Sequence, residues 1–291
     1  MNKNSWIYDM GRKIYKKAVW IMSGVSPKTA TKMIYYRVFH KKLDLKNPKT
    51  LNEKIQCLKL GEYYHNSLIT QCADKYEVRK YLEEKGLSSI LNEMFMVVND
   101  PDEIDFSKLP DKFVIKCNHS SGGNIICTDK RSFDPADARR ELWQYYKEDY
   151  WKEYAETNYR FITKKIIIEK YIETASGNLP TDYRIMCFHG EPKFLYLTTW
   201  GINEILERQY LDIHWNVLDI GDSKKIEVPS RPENFDEMLE IARILSADFK
   251  FVRVDLFSVE GKIYFGELTF TPTGGYTKDF DNAYVNDLLT V

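Results

Sequence analysis

The sequence predicts an α+β fold built mainly from antiparallel strands. Helical and extended segments follow one another without strict strand–helix–strand alternation, which argues against a parallel sheet. Two pairs of extended segments are joined by short glycine-containing turns, at Gly190 and at Gly261, and such turns are typical of β-hairpins. The chain has 291 residues, which is enough for one large domain or two modest ones with an ample core.

The first 70 residues are predicted to form a basic helical region. Ser26 followed by proline is typical of a helix start, and Thr50-Leu-Asn-Glu53 matches a capping box. The helices expected here are 4–22, 26–42 and about 50–60. Residues 1–50 carry a formal charge of +10, which leaves −11 for the rest of a chain whose total charge is −1. This asymmetry predicts an anionic partner for the N-terminal end.

The first of these helices is amphipathic and basic, which leaves two interpretations open. Either it packs on the body with a solvated basic face, or residues 1–42 lie on an anionic membrane surface. No run approaches the roughly 20 apolar residues that cross a bilayer, and the N-terminus lacks a signal-peptide pattern. We expect a cytoplasmic protein, which the second interpretation places at the inner face of the membrane.

Composition argues against several function classes. A net charge of −1 does not suit a protein that coats nucleic acid. The five cysteines are odd in number and form no CxxC pair, and the five histidines show no metal-ligand spacing. Neither a disulfide framework nor a zinc site is therefore predicted, and a reducing cytoplasm fits best.

The rest of the chain divides near residue 110, where Pro110-Asp111 marks a turn. Residues 71–110 are predicted to form a small linking segment and residues 111–291 the main domain. The expected helices of these parts are 74–85, 134–156 and 232–247. The expected strands are 92–98, 113–117, 125–128, 165–172, 183–188, 193–199 and 209–213, followed by a hairpin within 251–275.

Two carboxylates in the last hairpin give the strongest chemical signal. Asp255 lies in its first strand and Glu267 near the end of its second, so antiparallel pairing brings them close together. Two adjacent carboxylates repel each other unless a cation lies between them. Magnesium held by one or two carboxylates commonly also holds nucleotide phosphates. The alternative is a surface hairpin with two unrelated acids.

Two further segments suggest contacts to a nucleotide. Lys116 ends a short apolar strand and precedes the loop 118–124, in which glycines let backbone N–H groups approach phosphate oxygens. The loop returns directly to a strand, so it is neither a P-loop nor a Rossmann fingerprint. The strand 166–173 turns polar at Glu169, where backbone groups could meet a purine edge. Taken alone, each segment also fits an ordinary hairpin or a buried central strand.

The order and the residue sequences of these segments resemble those of the ATP-grasp superfamily. Within it, they are similar to the ATP-grasp proteins of teichuronopeptide and other surface-polysaccharide biosynthesis, from about residue 45 to near the C-terminus. The matching runs are Leu51-Asn-Glu-Lys-Ile, Ala73-Asp-Lys-Tyr, Lys116-Cys-Asn-His-Ser-Ser-Gly-Gly-Asn and Gly266-Glu-Leu-Thr-Phe-Thr-Pro. The resemblance implies the ATP-grasp fold, in which two α+β subdomains with largely antiparallel sheets clamp ATP. Residues 111–170 would form the flap subdomain and 171–291 the metal-binding, catalytic subdomain, with an N-terminal helical extension.

The resemblance also implies a role for each matching position. Lysines would contact phosphates, the serine–glycine loop would cover the triphosphate, and the end of the Glu169 strand would hold adenine and ribose. The implied nucleotide-binding residues are Lys75, Lys116, Ser120, Ser121, Gly122, Gly123, Glu169, Lys170, Tyr171, Ile172, Glu173 and Asp182. The implied catalytic residues are Lys116, Arg184 and Arg253. The implied metal ligands are Asp255, Glu267 and Thr269.

Two departures from the superfamily pattern affect the site. The position two residues after the bridging Glu267 is usually Asn, but here it is Thr269, whose hydroxyl reaches less far. The chain could therefore hold either one or two Mg²⁺ ions with its ATP. In addition, residues 1–70 are predicted to be helical where many relatives have a Rossmann-like domain, so substrate recognition must be built differently.

The implied activity is ATP-dependent ligation of a carboxylate to an amine through an acyl phosphate. The family context suggests a uronic acid or related glycan precursor joined to an amino acid or amino sugar, and dimers are common in the superfamily. One alternative is a glycosyltransferase, because Asp100-Pro-Asp102 and Asp279-Phe-Asp281 match the DxD pattern. The others are an ATP-grasp kinase that phosphorylates a hydroxyl and a non-catalytic nucleotide-binding partner.

Overall fold

The computed structural model describes residues 3–175, 177, 179–200, 206–221 and 228–291. The α-helices in these ranges are α1 (Lys3–Val25), α2 (Pro27–Phe39), α3 (Leu51–Leu60), α4 (Ser67–Ala73), α5 (Val78–Glu84), α6 (Pro135–Lys147), α7 (Phe235–Ser246) and α8 (Ala283–Asn286). The strands are β1 (Met94–Val98), β2 (Phe113–Cys117), β3 (Ile125–Cys127), β4 (Ile166–Lys170), β5 (Asp182–Phe188), β6 (Glu191–Trp200), β7 (Leu206–Asp212), β8 (Phe251–Val259) and β9 (Lys262–Thr269).

The strands form two antiparallel sheets. The large sheet has the order β7-β6-β5-β8-β9, and the small sheet has the order β1-β4-β2-β3. All pairings recorded within them are antiparallel. The predicted α+β class with largely antiparallel sheets is therefore confirmed.

The large sheet carries most of the hydrophobic core. Helix α7 places apolar side chains at helical spacing, and Phe235, Met238 and Ala242 on that face are completely buried. They belong to the same apolar cluster as Ile185 and Val254 of the sheet. Since side chains alternate across a strand, the opposite face of these strands is left free for polar residues.

The small sheet has a separate and smaller core. Its central strand β4 supplies Ile166 and Ile168, which pack with Phe113 of β2 and Leu142 of α6. Strand β1 pairs along β4, so a segment that precedes residue 110 contributes the edge strand of this sheet. The small sheet is thus assembled from residues on both sides of the predicted boundary.

The N-terminal helices begin where the sequence predicts. The Ser26 side chain caps α2, and Thr50 and Glu53 form the complete capping box of α3. Val19 of α1 and Ile34 of α2 are buried together in a third apolar cluster. Among the helices of the described ranges, none has the combination of length and hydropathy that crossing a membrane requires.

Two predicted helices are shorter than expected. The helix expected over 74–85 begins only at Val78, because Asp74 follows the end of α4 and its carboxylate accepts hydrogen bonds from the backbone N–H of Tyr76 and the side chain of Asn118. Helix α6 stops at Lys147 rather than near 156, and Lys164 donates to the carbonyls of Tyr146 and Glu148 there. Both breaks depend on contacts with residues distant in sequence.

Candidate active site

The hairpin of β8 and β9 places two carboxylates side by side. Asp255 lies directly opposite Glu267 in the register, just before a bulge in the pairing. Arg253, two residues before Asp255 on the same face, binds both oxygens of Asp255, with Nε–Oδ1 and Nη2–Oδ2 distances of 2.6 and 2.5 Å. The same Nη2 donates to Glu267 Oε1 at 2.9 Å and to Thr269 Oγ1 at 3.0 Å. One guanidinium therefore links all three predicted metal ligands.

Electrostatics separates the two acids. Burial opposes ionisation of Glu267, but Lys75, Arg253 and the Thr269 hydroxyl outweigh it and lower its pKa to about 2. For Asp255, burial together with the negative charges of Asp182 and Glu267 outweighs Arg253 and raises the pKa to about 7. Glu267 is accordingly the firmly ionised member of the pair.

A second arginine extends this network along the sheet. Arg184 on β5 lies opposite Asp255, with 3.7 Å between Nε and Asp255 Oδ2. Its Nε also donates to Asp182 Oδ2 at 2.6 Å. Burial raises the pKa of Asp182, against the opposing effect of Arg184. The predicted residues Asp182, Arg184, Arg253, Asp255 and Glu267 thus share one face of the large sheet.

The small sheet presents a second set of charges. Lys116 of β2 donates to Glu169 Oε2 at 2.7 Å, and these residues lie on adjacent strands. Arg79 of α5 approaches the other oxygen of Glu169 at 3.5 Å and donates to the carbonyl of Asn92 at 3.0 Å. Sequence reasoning missed Arg79, because its position in a helix gives no sign that it reaches a strand in the neighbouring sheet.

A small cleft beside the small-sheet charges reaches β9 of the large sheet. Its lining includes Lys75, Arg79, Lys116 and Glu169 on one side and Gly266 of β9 on the other. Lys75 bridges the two sides, because its Nζ lies 3.9 Å from Glu267 Oε2 and donates to the carbonyl of Ser120. The two lysines predicted to contact phosphates therefore lie at the same cleft as Glu267.

The serine–glycine loop is attached at its base. Asn118 donates to both oxygens of Asp74 at 2.9 Å and accepts from the backbone N–H of Lys165 at 2.7 Å. Gly122 and Gly123 follow with φ values of 82° and 68°. A Cβ at Gly123 would lie 2.8 Å from the Tyr145 ring, so glycine is required for both conformation and close approach.

Some predicted nucleotide-binding residues lie apart from these charges. Lys170 ends β4, and its Nζ pairs with Glu93 at 3.6 Å, both side chains being exposed. Glu173 pairs with Lys112 at 2.7 Å. Tyr171 and Ile172 lie beyond the strand. Ser121 is exposed on the loop. The structure therefore supports no direct contact between these residues and the acid pair.

One more residue completes the arginine contacts. Tyr196 of β6 lies opposite Arg184, and its hydroxyl accepts a hydrogen bond from Arg253 Nη1 at 3.0 Å. Sequence reasoning missed this contact, because a bulge between Met186 and Cys187 shifts the register of the Gly190 hairpin by one residue. The turn alone would place Leu195 opposite Arg184, and the sequence carries no clear signal of the bulge.

The oxygen donors of this hairpin are of the kind that magnesium binds. Asp255, Glu267 and Thr269 supply the hard oxygen atoms that Mg²⁺ prefers, and Glu267 is ionised and 31% exposed at its side chain. Both oxygens of Asp255 are bound to Arg253. Across the described ranges, no group of three or more His, Cys, Asp and Glu side chains is arranged to hold a metal ion. The residues fit magnesium in their chemistry, with Glu267 as the accessible ligand.

Both DxD motifs have other partners. Asp100 caps a short helical turn through the backbone N–H of Asp102, and Asp102 accepts from Trp143 at 3.2 Å. Asp279 accepts from the Tyr210 hydroxyl at 2.8 Å, and Asp281 pairs with Lys41 at 3.4 Å. These contacts account for the acids without a sugar nucleotide and weaken the glycosyltransferase alternative.

Two antiparallel sheets on either side of a lysine-lined cleft, with paired acids on the last hairpin of the larger sheet, define a protein of the ATP-grasp class. A family profile described as TupA-like ATPgrasp matches residues 53–289. The chain belongs to the TupA-like ATP-grasp family. This confirms the superfamily and the fold that the sequence predicts.

Similar solved structures include D-alanine–D-alanine ligases. The Bacillus anthracis enzyme shares 20% identity over 69% of this chain and 57% of its own, with a TM-score of 0.39. The Helicobacter pylori enzyme shares 15% identity over 75% and 61%, with a TM-score of 0.43. N5-carboxyaminoimidazole ribonucleotide synthetase from Thermus thermophilus shares 10% identity over 76% and 52%, with a TM-score of 0.44. This chain thus spans only about half to three-fifths of their lengths, and no curated protein matches it significantly.

Proposed function

We propose that this protein is an ATP-dependent carboxylate–amine ligase. The observation that supports the proposal most directly is the pair Asp255–Glu267, linked by Arg253 and facing Lys75 across the cleft. Nucleotide phosphates carry negative charge that lysines and arginines neutralise, and oxygen ligands hold the accompanying magnesium. The cleft offers both kinds of group within one connected network.

The cations of the cleft would bind the triphosphate. Lys116 and Lys75 come from one side, and Arg253 and Arg184 from the other. Each is now paired with a carboxylate, so phosphate oxygens would compete for these donors. Magnesium, held by Glu267 and by Asp255 once Arg253 turns to phosphate, would neutralise the phosphate charge. The serine–glycine loop 120–123 would cover the phosphates, consistent with residues 111–170 acting as a flap.

The reaction requires little covalent chemistry from the protein. A substrate carboxylate oxygen attacks the γ-phosphorus, ADP leaves, and an acyl phosphate forms. The amine then attacks the acyl carbon, loses a proton, and inorganic phosphate leaves. Arg253 and Arg184 would stabilise charge on the transferring phosphoryl group and on the tetrahedral intermediate, so catalysis is positioning plus electrostatics.

The proposed substrates follow from the family resemblance. We propose a uronic acid or related glycan precursor as the carboxylate and an amino acid or amino sugar as the amine, in surface-polysaccharide biosynthesis. Residues 171–291 would form the metal-binding, catalytic part. A homodimer remains a prediction, which light scattering of the purified chain tests.

ADP formation tests the proposal. Purified protein with Mg-ATP, a panel of uronates and a panel of amino acids and amino sugars should release ADP only with both partners, and mass spectrometry should detect an amide. The Glu267→Gln variant should lower the rate by about 10²–10³-fold. Glu191→Gln, at the exposed start of β6 in the same sheet, is the matched control and should leave the rate unchanged.

Each alternative has its own signature. A stable phosphoester instead of an amide would identify a kinase. Undiminished product formation by Glu267→Gln would contradict a role of the Asp255–Glu267 pair in catalysis. Thermal stabilisation by a UDP-sugar but not by Mg-ATP would restore the glycosyltransferase alternative. Nucleotide binding without turnover on any substrate pair would favour a non-catalytic partner.

We also propose that α1 contacts an anionic membrane surface. Met10, Ile14, Ile21 and Val25 occupy one narrow arc of the helix and are 40%, 63%, 48% and 75% exposed. Lys13 and Lys17 lie beside this arc. Residues 1–42 contain ten Lys and Arg and a single acid. An exposed apolar arc with basic neighbours matches the chemistry of anionic headgroups above acyl chains.

Vesicle sedimentation tests this contact. The protein should pellet with vesicles of phosphatidylserine and phosphatidylcholine, but not with phosphatidylcholine alone, and added salt should weaken binding. The double variant Ile14→Glu with Ile21→Glu should remain in the supernatant. A matched control places Glu at two exposed apolar positions elsewhere, Leu179 and Val217. Equal pelleting of both variants, or self-association through the arc instead, would contradict the contact.

A further inference from the structure

A row of three polar side chains crosses the large sheet beside the acid pair. Asp182 of β5 lies opposite Thr198 of β6, and Thr198 lies opposite Arg208 of β7. Directly opposed residues of antiparallel strands point to the same face, so the three form one line. Two residues further along β5 lies Arg184, which contacts Asp255. The row therefore lies on the same face as the proposed active site.

Each member of this row has a buried polar atom without a hydrogen-bond partner. The atoms are Asp182 Oδ1, Thr198 Oγ1 and Arg208 Nε. Thr198 as a whole is 1% exposed and Asp182 is 8% exposed. Buried polar atoms are nearly always hydrogen-bonded, because removing them from water without a partner costs free energy. Three such atoms in one cross-strand row indicate partners that come from outside the chain.

The hydrogen-bond donors and acceptors of the three side chains limit the kinds of ligand that can bind them. Arg208 Nε can only donate, Asp182 Oδ1 accepts when ionised, and Thr198 can do either. Hydroxyl groups both donate and accept, so neighbouring hydroxyls can satisfy the whole row. A second phosphate or carboxylate would be repelled by Asp182 and by Asp279, which lies 3.7 Å from Arg208. An ammonium group would be repelled by Arg184 and Arg208.

The distance of the row from the strand that carries Asp255 limits which substrates can reach it. Adjacent strands are about 4.8 Å apart, so Asp182, Thr198 and Arg208 lie roughly 5, 10 and 14 Å from the strand that carries Asp255. A substrate whose carboxyl group lies between Arg184 and Arg253 would extend its remaining atoms along the row. A sugar-sized acid can do so, whereas a short aliphatic acid cannot.

We propose that the row Asp182–Thr198–Arg208 binds the hydroxyl groups of the carboxylate substrate, a polyhydroxylated acid of the hexuronate class. The proposal rests on the proposed ligase function for the position of the carboxyl group, but binding to the row is measurable without catalysis. Because the three atoms are enclosed, substrate entry requires the covering side chains to move. Each buried atom without a partner costs free energy in the folded protein, and substrate hydroxyls would relieve this cost.

Calorimetric titration with three hexuronates (glucuronate, galacturonate and mannuronate) tests the proposal in the presence of Mg and AMP-PNP. At least one should bind, whereas glucose, which lacks the carboxylate, and propionate, which lacks hydroxyls, should bind at least tenfold more weakly. Thr198→Val should weaken hexuronate binding about tenfold, because one hydrogen bond is lost. Its affinity for AMP-PNP should stay within twofold, and its melting temperature should rise, because an unpaired buried hydroxyl is removed.

Arg208→Gln should also weaken hexuronate binding. The matched control is Arg243→Gln, which changes an exposed arginine on α7, on the opposite face of the sheet, and should bind like the unchanged protein. The proposal is overturned if AMP-PNP binds but no hexuronate does, if propionate binds as tightly as the hexuronates, or if Thr198→Val lowers the melting temperature. Hexuronate binding that Thr198→Val weakens, in a protein that does not bind AMP-PNP, would support the row and reject the ligase function.

Discussion

The two sheets hold their charged side chains in different ways. On the large sheet, Arg253 is 6% exposed and donates to Asp255, Glu267, Thr269 and Tyr196. On the small sheet, the side chain of Lys116 is 25% exposed and pairs with a single carboxylate, Glu169. The Arg253 guanidinium is therefore held in a closed network. Lys116 has one carboxylate partner, which a ligand can replace.

Because of this difference, we expect substitutions on the two sheets to affect folding stability and ligand binding to different extents. A buried ion pair that loses one partner leaves an uncompensated charge in the interior, which strongly destabilises the fold. The loss is smaller where the remaining charge keeps a second partner, as the buried Glu169 of the small sheet does with Arg79. The large-sheet network should therefore contribute to both folding and catalysis, and the small-sheet pair mainly to nucleotide binding.

The largest effect is expected for Arg253→Met. Asp255 and Glu267 would then lie side by side without the guanidinium between them, and Asp255 is 3% exposed. The free energy of unfolding should fall by about 3–5 kcal/mol, as measured by urea denaturation. Arg243→Met, which breaks exposed pairs on α7, is the control and should change it by less than about 0.5 kcal/mol. Similar losses for the two variants would refute the closed-network interpretation.

Two buried titratable side chains close to the end of β9, Glu156 and Lys59, should make the free energy of unfolding depend on pH. Burial raises the pKa of Glu156 to about 7, against the opposing effects of Thr271 and Lys59. Burial lowers the pKa of Lys59 to about 7. Glu156 binds its proton more tightly when folded, so its stabilising contribution is complete below about pH 4.5 and is lost as pH rises through 7. Lys59 contributes in the opposite sense, above pH 7.

The variant Glu156→Gln tests this dependence. Between pH 5 and 7 the unchanged protein should lose up to about 3 kcal/mol of stability that the variant does not lose, from about 1.36 kcal/mol per pKa unit. Asp255 and His119, with pKa values raised to about 7 and lowered to about 4, titrate in both proteins. The difference between the two urea-denaturation curves therefore reports Glu156, and parallel curves would contradict its raised pKa.

Lys116→Met should sharpen the contrast between the sheets. Stability should fall by only about 1 kcal/mol, since the Lys116 side chain is partly exposed and Arg79 still faces the buried Glu169. AMP-PNP affinity should fall about 10–100-fold, because a charge-assisted hydrogen bond to phosphate is lost. The control is Lys80→Met, which breaks an exposed pair with Glu84 on α5. A large loss of stability with unchanged affinity would reverse the assignment.

Local signals in the sequence predicted much of the fold and the centre of the site. The Gly261 turn predicts the hairpin that brings Asp255 near Glu267, but its register alone would pair Asp255 with Gly266, and a bulge after Asp255 shifts the partner to Glu267. The caps at Ser26 and Thr50 also predicted the starts of two helices, because each cap bonds to the first turn of the helix that it begins.

Contacts between distant segments could not be predicted. Helix α4 ends at Asp74 because Asn118, on another element, binds its carboxylate. Arg79 reaches Glu169 from a helix, and Arg253 of β8 reaches Tyr196 of β6 across the intervening strand β5. A sequence pattern records which face a residue occupies but not which partner meets it there. The four contacts of Arg253 were invisible for that reason, although its catalytic role was proposed.

The smallest effect is expected just beyond the end of β4, where the family resemblance implies that Glu173 contacts ribose. Its side chain is 60% exposed and pairs with Lys112, so Glu173→Gln should change stability by less than about 0.5 kcal/mol. ATP affinity should fall about three- to tenfold, the range for one hydrogen bond. The decisive comparison uses 2′,3′-dideoxy-ATP, which lacks the ribose hydroxyls. The unchanged protein should bind it more weakly than ATP, whereas the variant should bind both nucleotides alike. If the variant still discriminates as the unchanged protein does, another residue contacts the ribose, and the charged pair at this edge serves only the surface of the small sheet.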